Sequence, residues 1–238
     1  MIEQDAYKKQ HRLQEYCDFK TGMCDDIVDR SIKQAIDALA VPGLLIGHHL
    51  ISKDDEFSLI HEEKASLPFT SLERLRASAA VRNVARELMK PMGFVDFPIL
   101  RGTFGNPIWP PGIVGSMAHN TQIAIAAIAL QREMEAVGID IENIMPLPPD
   151  MLDLICTPLE IHMISDYPLG TKLLFVIKEA VYKAAYPLDH KFLDFHEIQV
   201  DPAGRIAMTS TGRTFTLHWC ISSHIIAVAT IRKSPIIS

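Results

Sequence analysis

The sequence predicts an α+β fold of two similar subdomains related by pseudo-two-fold symmetry, each with a long helix packed on a small antiparallel sheet. Two long helical patterns, over residues 71–90 and 170–186, are each set among short β-branched runs. An internal repeat links them. Glu62 and Glu160, Lys64 and His162, and Phe94-Val-Asp-Phe97 and Phe192-Leu-Asp-Phe195 all stand 98 residues apart, and the same offset lays one helix over the other. Gly47 and Gly138 also sit in comparable strands upstream of the helices. The expected division is a helical extension at 1–40, an N-terminal subdomain at 41–133 and a C-terminal subdomain at 134–238. A site in the cleft between the two would follow, since ligand sites favour such interfaces.

In chain order, Ile32, Ala35, Ile36 and Leu39 make one apolar stripe, which predicts a helix over Asp29–Leu39, ended by Val41-Pro-Gly43. Leu44–Ile51 reads as a buried strand. His48 and His49 are adjacent in it and so point to opposite faces, which makes them a poor shared metal site. The helix 71–90 can be capped by Thr70 or Ser71, and it concentrates Arg74, Arg76, Arg82 and Arg86 in an acidic protein. A loop dense in Gly and Pro, Gly102–Gly112, leads to Gly115-Ser-Met-Ala-His119 and then to the apolar run Ile123–Leu130. Trp109 in that loop reads as a packing residue. Asp150–Ser165 should hold one or two short helices. The helix 170–186 has the stripe Leu174, Ile177, Val181 and Ala184. Strand-like runs follow at Phe195–Val200, Arg205–Met208, Phe215–Ile221 and Ile225–Ile231.

Composition excludes several classes. The 238 residues carry a net charge of −6, with 48% hydrophobic content, a pI near 5.9 and a mean hydropathy of +0.12. An acidic balance argues against a general nucleic-acid binder and leaves room for local basic patches. No apolar run has the ~18 residues of a membrane helix, and the opening residues lack the basic-then-apolar order of a secretory signal. Cys17, Cys24, Cys156 and Cys220 form no Cys-x-x-Cys pair, as expected of reduced thiols in a cytoplasmic protein.

The chemistry concentrates in Val137-Gly-Ile-Asp-Ile-Glu142 and Phe175-Val-Ile-Lys-Glu-Ala-Val-Tyr-Lys183. In a strand, Asp140 and Glu142 leave one face. On a helix, Glu179 and Lys183 share a face, and Glu179 lies about 200° round from Ile177 in the apolar stripe. Three carboxylates that converge need a counter-charge, and oxygen ligands of this kind suit Mg²⁺ completed by water and phosphate.

Gly105-Asn-Pro-Ile-Trp-Pro-Pro-Gly112, Gly115-Ser-Met-Ala-His119, Val137–Glu142 and Lys178-Glu-Ala-Val-Tyr-Lys183, in this order and spacing, resemble the larger, monomeric type of 4′-phosphopantetheinyl transferase, the Sfp-like kind, and within it the enterobactin synthetase component D group. The likeness covers roughly residues 45–232. It implies an enzyme that moves the phosphopantetheine arm of coenzyme A to a serine of an acyl- or peptidyl-carrier protein and releases 3′,5′-ADP. It implies that Asp140, Glu142 and Glu179 hold Mg²⁺ on the coenzyme A diphosphate, and that Glu179, directly or through water, takes the serine proton. Lys178 and Lys183 would stand near the diphosphate, His119 at the ribose 3′-phosphate, and Gly105, Asn106 and Pro107 around the adenine. Arg82, with Arg74, Arg76 and Arg86, would add phosphate contacts. The implied protein is a cytoplasmic monomer of siderophore or secondary-metabolite synthesis, with no nucleic-acid or membrane partner.

The chain departs from the family pattern at Ala118, where a hydroxyl residue is common, at Val176, where serine is common, and at Ala80-Val-Arg82, which usually reads Ala-Gly-Arg. None removes a metal ligand, so activity is expected. Two alternatives stand beside this reading: a metal-dependent nuclease or phosphodiesterase, and an inactive relic that only binds carrier proteins.

Overall fold

The structure is a computed structural model describing residues 24–68, 71–165 and 169–234. It is an α+β protein built on antiparallel sheets. Residues 24–39 form a helix, α1. β1 (Leu44–Leu50) follows, then α2 (His61–Ser66), α3 (Leu72–Met89), the short strands β2 (Leu100–Arg101) and β3 (Pro107–Ile108), β4 (Ile113–His119), β5 (Ile123–Leu130) and β6 (Met134–Asn143). The second half adds α4 (Leu152–Ile155), α5 (Pro158–Met163), α6 (Gly170–Asp189), β7 (Ile198–Asp201), β8 (Ile206–Thr209), β9 (Thr214–Ile221) and β10 (His224–Arg232). One sheet has the order β1-β5-β4, the other β6-β10-β9-β8-β7, and β2 pairs with β3 in a small hairpin.

Each large sheet carries a long helix. Val84, Ala85 and Met89 of α3 pack with Ala124, Ala126 and Ile128 of β5. Leu174, Ile177, Val181 and Ala184 of α6 pack with Ala136 of β6 and Ala227 and Ala229 of β10, so the expected stripe is the buried one. The opposite face of β6, through Val137, Ile139 and Ile141, meets β5 and β10 residues together with Ile32, Ala35 and Leu39 of α1. α1 therefore contributes one face, through Ile32, Ala35 and Leu39, to this core.

Several expected bounds move. α6 runs three residues past Tyr186, through Pro187, and ends where His190 turns left-handed (φ 50°). Ser71 precedes α3 without a capping side-chain bond, and Thr70 lies outside the described residues. Phe195–Glu197, expected as strand, is a 3₁₀ turn closed by the Asp194 side chain. His48 and His49 do diverge, to Asp29 at 2.9 Å and Asp55 at 3.0 Å. Cys24, Cys156 and Cys220 are free thiols, and Cys17 lies outside the described residues.

The expected pairing of Glu62 with Glu160 is not found in the structure. Glu62 is exposed, and it is Glu63 that plays the part of Glu160. Glu63 accepts from the amides of Ile60 and Ile99 and pairs with Arg86 at 2.5 Å. Glu160 accepts from the amides of Thr157 and Val200 and pairs with Lys178 at 2.7 Å. Each glutamate thus ties a short helix, an extended segment and the long helix of its half together.

Candidate active site

The site is made where α6 crosses β6. A β-carbon on Gly138 would fall 1.9 Å from the Ala180 carbonyl oxygen and 2.8 Å from the Ala184 amide, so helix backbone rests directly on the strand. Ala136, Gly138, Asp140 and Glu142 share that strand face. The crossing leaves the two carboxylates beside the helix edge that carries Lys172, Glu179 and Lys183. These three lie within about 40° of one another around the axis.

Lys183 Nζ donates to Asp140 Oδ1 at 2.6 Å and approaches the Ile139 carbonyl at 3.4 Å. Lys172 Nζ donates to Glu142 Oε2 at 2.9 Å. Burial holds the Asp140 carboxyl above its ordinary pKa, while Lys183 pulls it down and Glu142 pushes it up. Glu179 is raised as well, by burial first and then by the Asp140 charge, with Lys183 opposing. The carboxylates are thus close enough to disfavour one another's ionisation.

Among the described residues no three His, Cys, Asp or Glu side chains form a ready cage for a metal. Lysines hold one oxygen of Asp140 and one of Glu142 instead. The donor set nonetheless fits a hard divalent ion: its oxygens are carboxylate, it is short of positive charge, and it would leave positions for water and phosphate.

The expected coenzyme A residues divide between two cavities. His119 and Arg74 line a cleft of about 640 Å³ together with Glu142, and Lys53, Arg76 and Asn120 line it too. His119 is exposed at the end of β4, yet crowding by the walls, with the Lys183 and Arg82 charges, lowers its pKa. Gly105, Asn106 and Pro107 line a second cavity of about 460 Å³, which reaches Lys183. Gly105 and Asn106 lie in the turn of the β2–β3 hairpin, where Gly105 takes a left-handed φ of 92°, and Pro107 opens β3. At the same turn Phe104 packs edge-on against Tyr186 and Phe192, with ring centroids 6.0 and 6.1 Å apart, bridging the hairpin to the end of α6.

Three expected phosphate-binding residues are placed elsewhere. Lys178 is fully buried and donates to Glu160 and to the carbonyls of Ile155 and Phe195. Adjacent residues on a helix point about 100° apart, so Lys178 faces the core while Glu179 faces β6. Arg82 donates to the Ile99 carbonyl at 2.8 Å and to the carbonyl and hydroxyl of Ser78, and desolvation lowers its pKa to about 10. Arg86 is held by Glu63 and the Ser58 carbonyl. Of the four arginines only Arg74 is exposed, and Arg76 shares the cleft while bonded to Glu56 at 2.8 Å. All three departures from the family pattern point inward: Val81, Ala118 and Val176 are core residues. Lys172 was not singled out from the sequence, although its spacing of two helical turns before Glu179 carries the signal.

The profile of the 4′-phosphopantetheinyl transferase superfamily matches residues 136–229. That of the 4′-phosphopantetheinyl transferase N-terminal domain matches residues 62–129. The chain belongs to the 4′-phosphopantetheinyl transferase superfamily. It is 35% identical over 176 residues to the 4′-phosphopantetheinyl transferase Svp of Streptomyces mobaraensis, covering 69% of this chain and 72% of that one. It is 34% identical over 143 residues to the 4′-phosphopantetheinyl transferase PptT of Mycobacterium tuberculosis, covering 58% and 63%. With enterobactin synthase component D of Escherichia coli K12 it shares 28% over 169 residues, covering 68% and 79%. Among the described residues no helix is long and apolar enough to cross a membrane.

Proposed function

We propose that this protein transfers the 4′-phosphopantetheine arm of coenzyme A to a serine of an acyl- or peptidyl-carrier protein. Asp140, Glu142 and Glu179 would hold Mg²⁺, and a magnesium ion there would neutralise charge on the diphosphate and orient the leaving group. The observation that carries this reading is the Lys183–Asp140 ion pair across the α6–β6 crossing, which sets the helix edge bearing Glu179 beside the β6 carboxylates, in a chain of this family.

The residues divide the work. Glu179 is the group placed to accept the serine proton, directly or through a water, a contribution worth typically ~10²–10⁴-fold. The serine oxygen bonds to the phosphorus next to the pantetheine arm, the bridging P–O bond of the diphosphate breaks, and 3′,5′-ADP departs. Lys183, on a semi-exposed arm at the site, supplies positive charge to the departing phosphate. His119 and Arg74 offer donors for the 3′-phosphate in the larger cleft. Gly105, Asn106 and Pro107 offer a backbone-lined wall for the adenine.

The protein is read as a cytoplasmic monomer whose carriers belong to siderophore or other secondary-metabolite synthases, a partner class suggested by the relatives' names. Intact-mass spectrometry of an apo carrier with coenzyme A and Mg²⁺ tests the reaction. The expected result is a gain of one phosphopantetheine arm that requires the metal and is lost in Glu179→Gln. Binding of coenzyme A without transfer to any of several carriers would favour the relic. Metal-dependent cleavage of DNA without coenzyme A binding would favour the nuclease.

A further inference from the structure

Lys172 has no part in the reading above, yet it is built into the site. Its side chain is 7% exposed, its ammonium stands 2.9 Å from Glu142 Oε2, and it lies over the Phe175 ring at 5.4 Å from the centroid. Lys183 makes the matching contact with Asp140. Counted as ionised, three carboxylates and two ammonium groups leave a net charge of only about −1 at neutral pH. A divalent ion arriving alone meets carboxylates that Lys172 and Lys183 have already partly neutralised. The coenzyme A diphosphate would bring the missing negative charge.

We propose that Lys172 is a resident counter-ion of Glu142 that keeps the free protein's affinity for the metal low, so that metal and coenzyme A bind together. This rests on the assignment of Asp140, Glu142 and Glu179 as metal ligands. Lys183 is 27% exposed and has room to turn toward a phosphate, whereas Lys172 is enclosed and its charge stays where it is. Lys172 holds one oxygen of Glu142 and leaves the other to the metal. Its positive charge sits beside the ligand and opposes an ion that arrives alone.

Mn²⁺ is a suitable probe, with free ion counted by electron paramagnetic resonance and no carrier protein present. Lys172→Met keeps the apolar stem and removes the charge; Lys172→Arg keeps the charge. The expected result is Mn²⁺ affinity at least about tenfold higher in free Lys172→Met than in wild type, with Lys172→Arg close to wild type. Adding Glu142→Gln to Lys172→Met should cancel the gain. Coenzyme A should raise the wild-type affinity toward that of Lys172→Met. Unchanged or weaker Mn²⁺ binding by a Lys172→Met protein with a wild-type circular dichroism spectrum overturns the role of Lys172 and leaves the metal assignment standing. If wild type with coenzyme A takes up no more Mn²⁺ than coenzyme A does alone, the metal assignment falls and the role of Lys172 with it.

Discussion

The carbonyl oxygen of Ala180 occupies the place a side chain on Gly138 would need: a β-carbon there would come within 1.9 Å of it. This contact sets the height of α6 over β6, and so the distance from Glu179 and Lys183 to Asp140. The clash is with helix backbone, which cannot rotate away as a side chain would. Gly138→Ala is expected to destabilise the protein by about 3 kcal/mol and to abolish transfer even below its melting temperature. Chemical denaturation and the intact-mass assay check both.

Glu179 couples the chemistry to stability. Its folded pKa is raised by burial and by Asp140, so the native state holds its proton to higher pH than the unfolded chain does. Without metal, stability from this group is full below the unfolded pKa and falls as pH rises from there through the folded value. Glu179→Gln should therefore flatten the fall in melting temperature above the ordinary carboxylate range, hold stability at or above wild type at neutral pH, and abolish transfer. Melting curves across pH without added metal, set beside activity, provide the check.

Lys178 distinguishes a structural cation from a phosphate ligand. It and Glu160 are both buried, at 0% and 3% side-chain exposure. Removing one leaves the other charged and unpaired, a cost of about 3–5 kcal/mol. Lys178→Met and Glu160→Gln should each lower stability on that scale, and the double variant should recover part of the loss. Coenzyme A affinity, measured by calorimetry on the folded fraction, should be unchanged in all three. A phosphate-binding Lys178 would instead show an affinity loss that Glu160→Gln does not share.

The arginines of α3 separate in the same way. Arg74→Ala is expected to leave the melting temperature alone and weaken coenzyme A binding about tenfold. Arg86→Ala should destabilise the fold, because Glu63 would remain buried without its partner.

His119→Ala should weaken binding of coenzyme A while leaving that of dephospho-coenzyme A nearly unchanged. Paired calorimetric titrations check this. Equal binding of the two ligands by wild type would remove His119 from the 3′-phosphate.

The sequence by itself determined much of this protein. Periodicity placed α3 and α6 within a few residues at each end, and strand alternation put Asp140 and Glu142 on one face. The order of four short motifs was enough to indicate the family. Spacing also brought Glu179 and Lys183 to one helix edge, since both rules act between near neighbours in the chain. Only the tertiary structure decided which charges serve the fold. Lys178 and Lys183 look alike in the sequence, as do Arg74 and Arg86. What separates them is burial against Glu160 and Glu63, partners 18 and 23 residues away. Lys172 entered the site for the same reason: its tie to Glu142 spans 30 residues. A charged side chain is costly to bury alone, and its partner is found by packing.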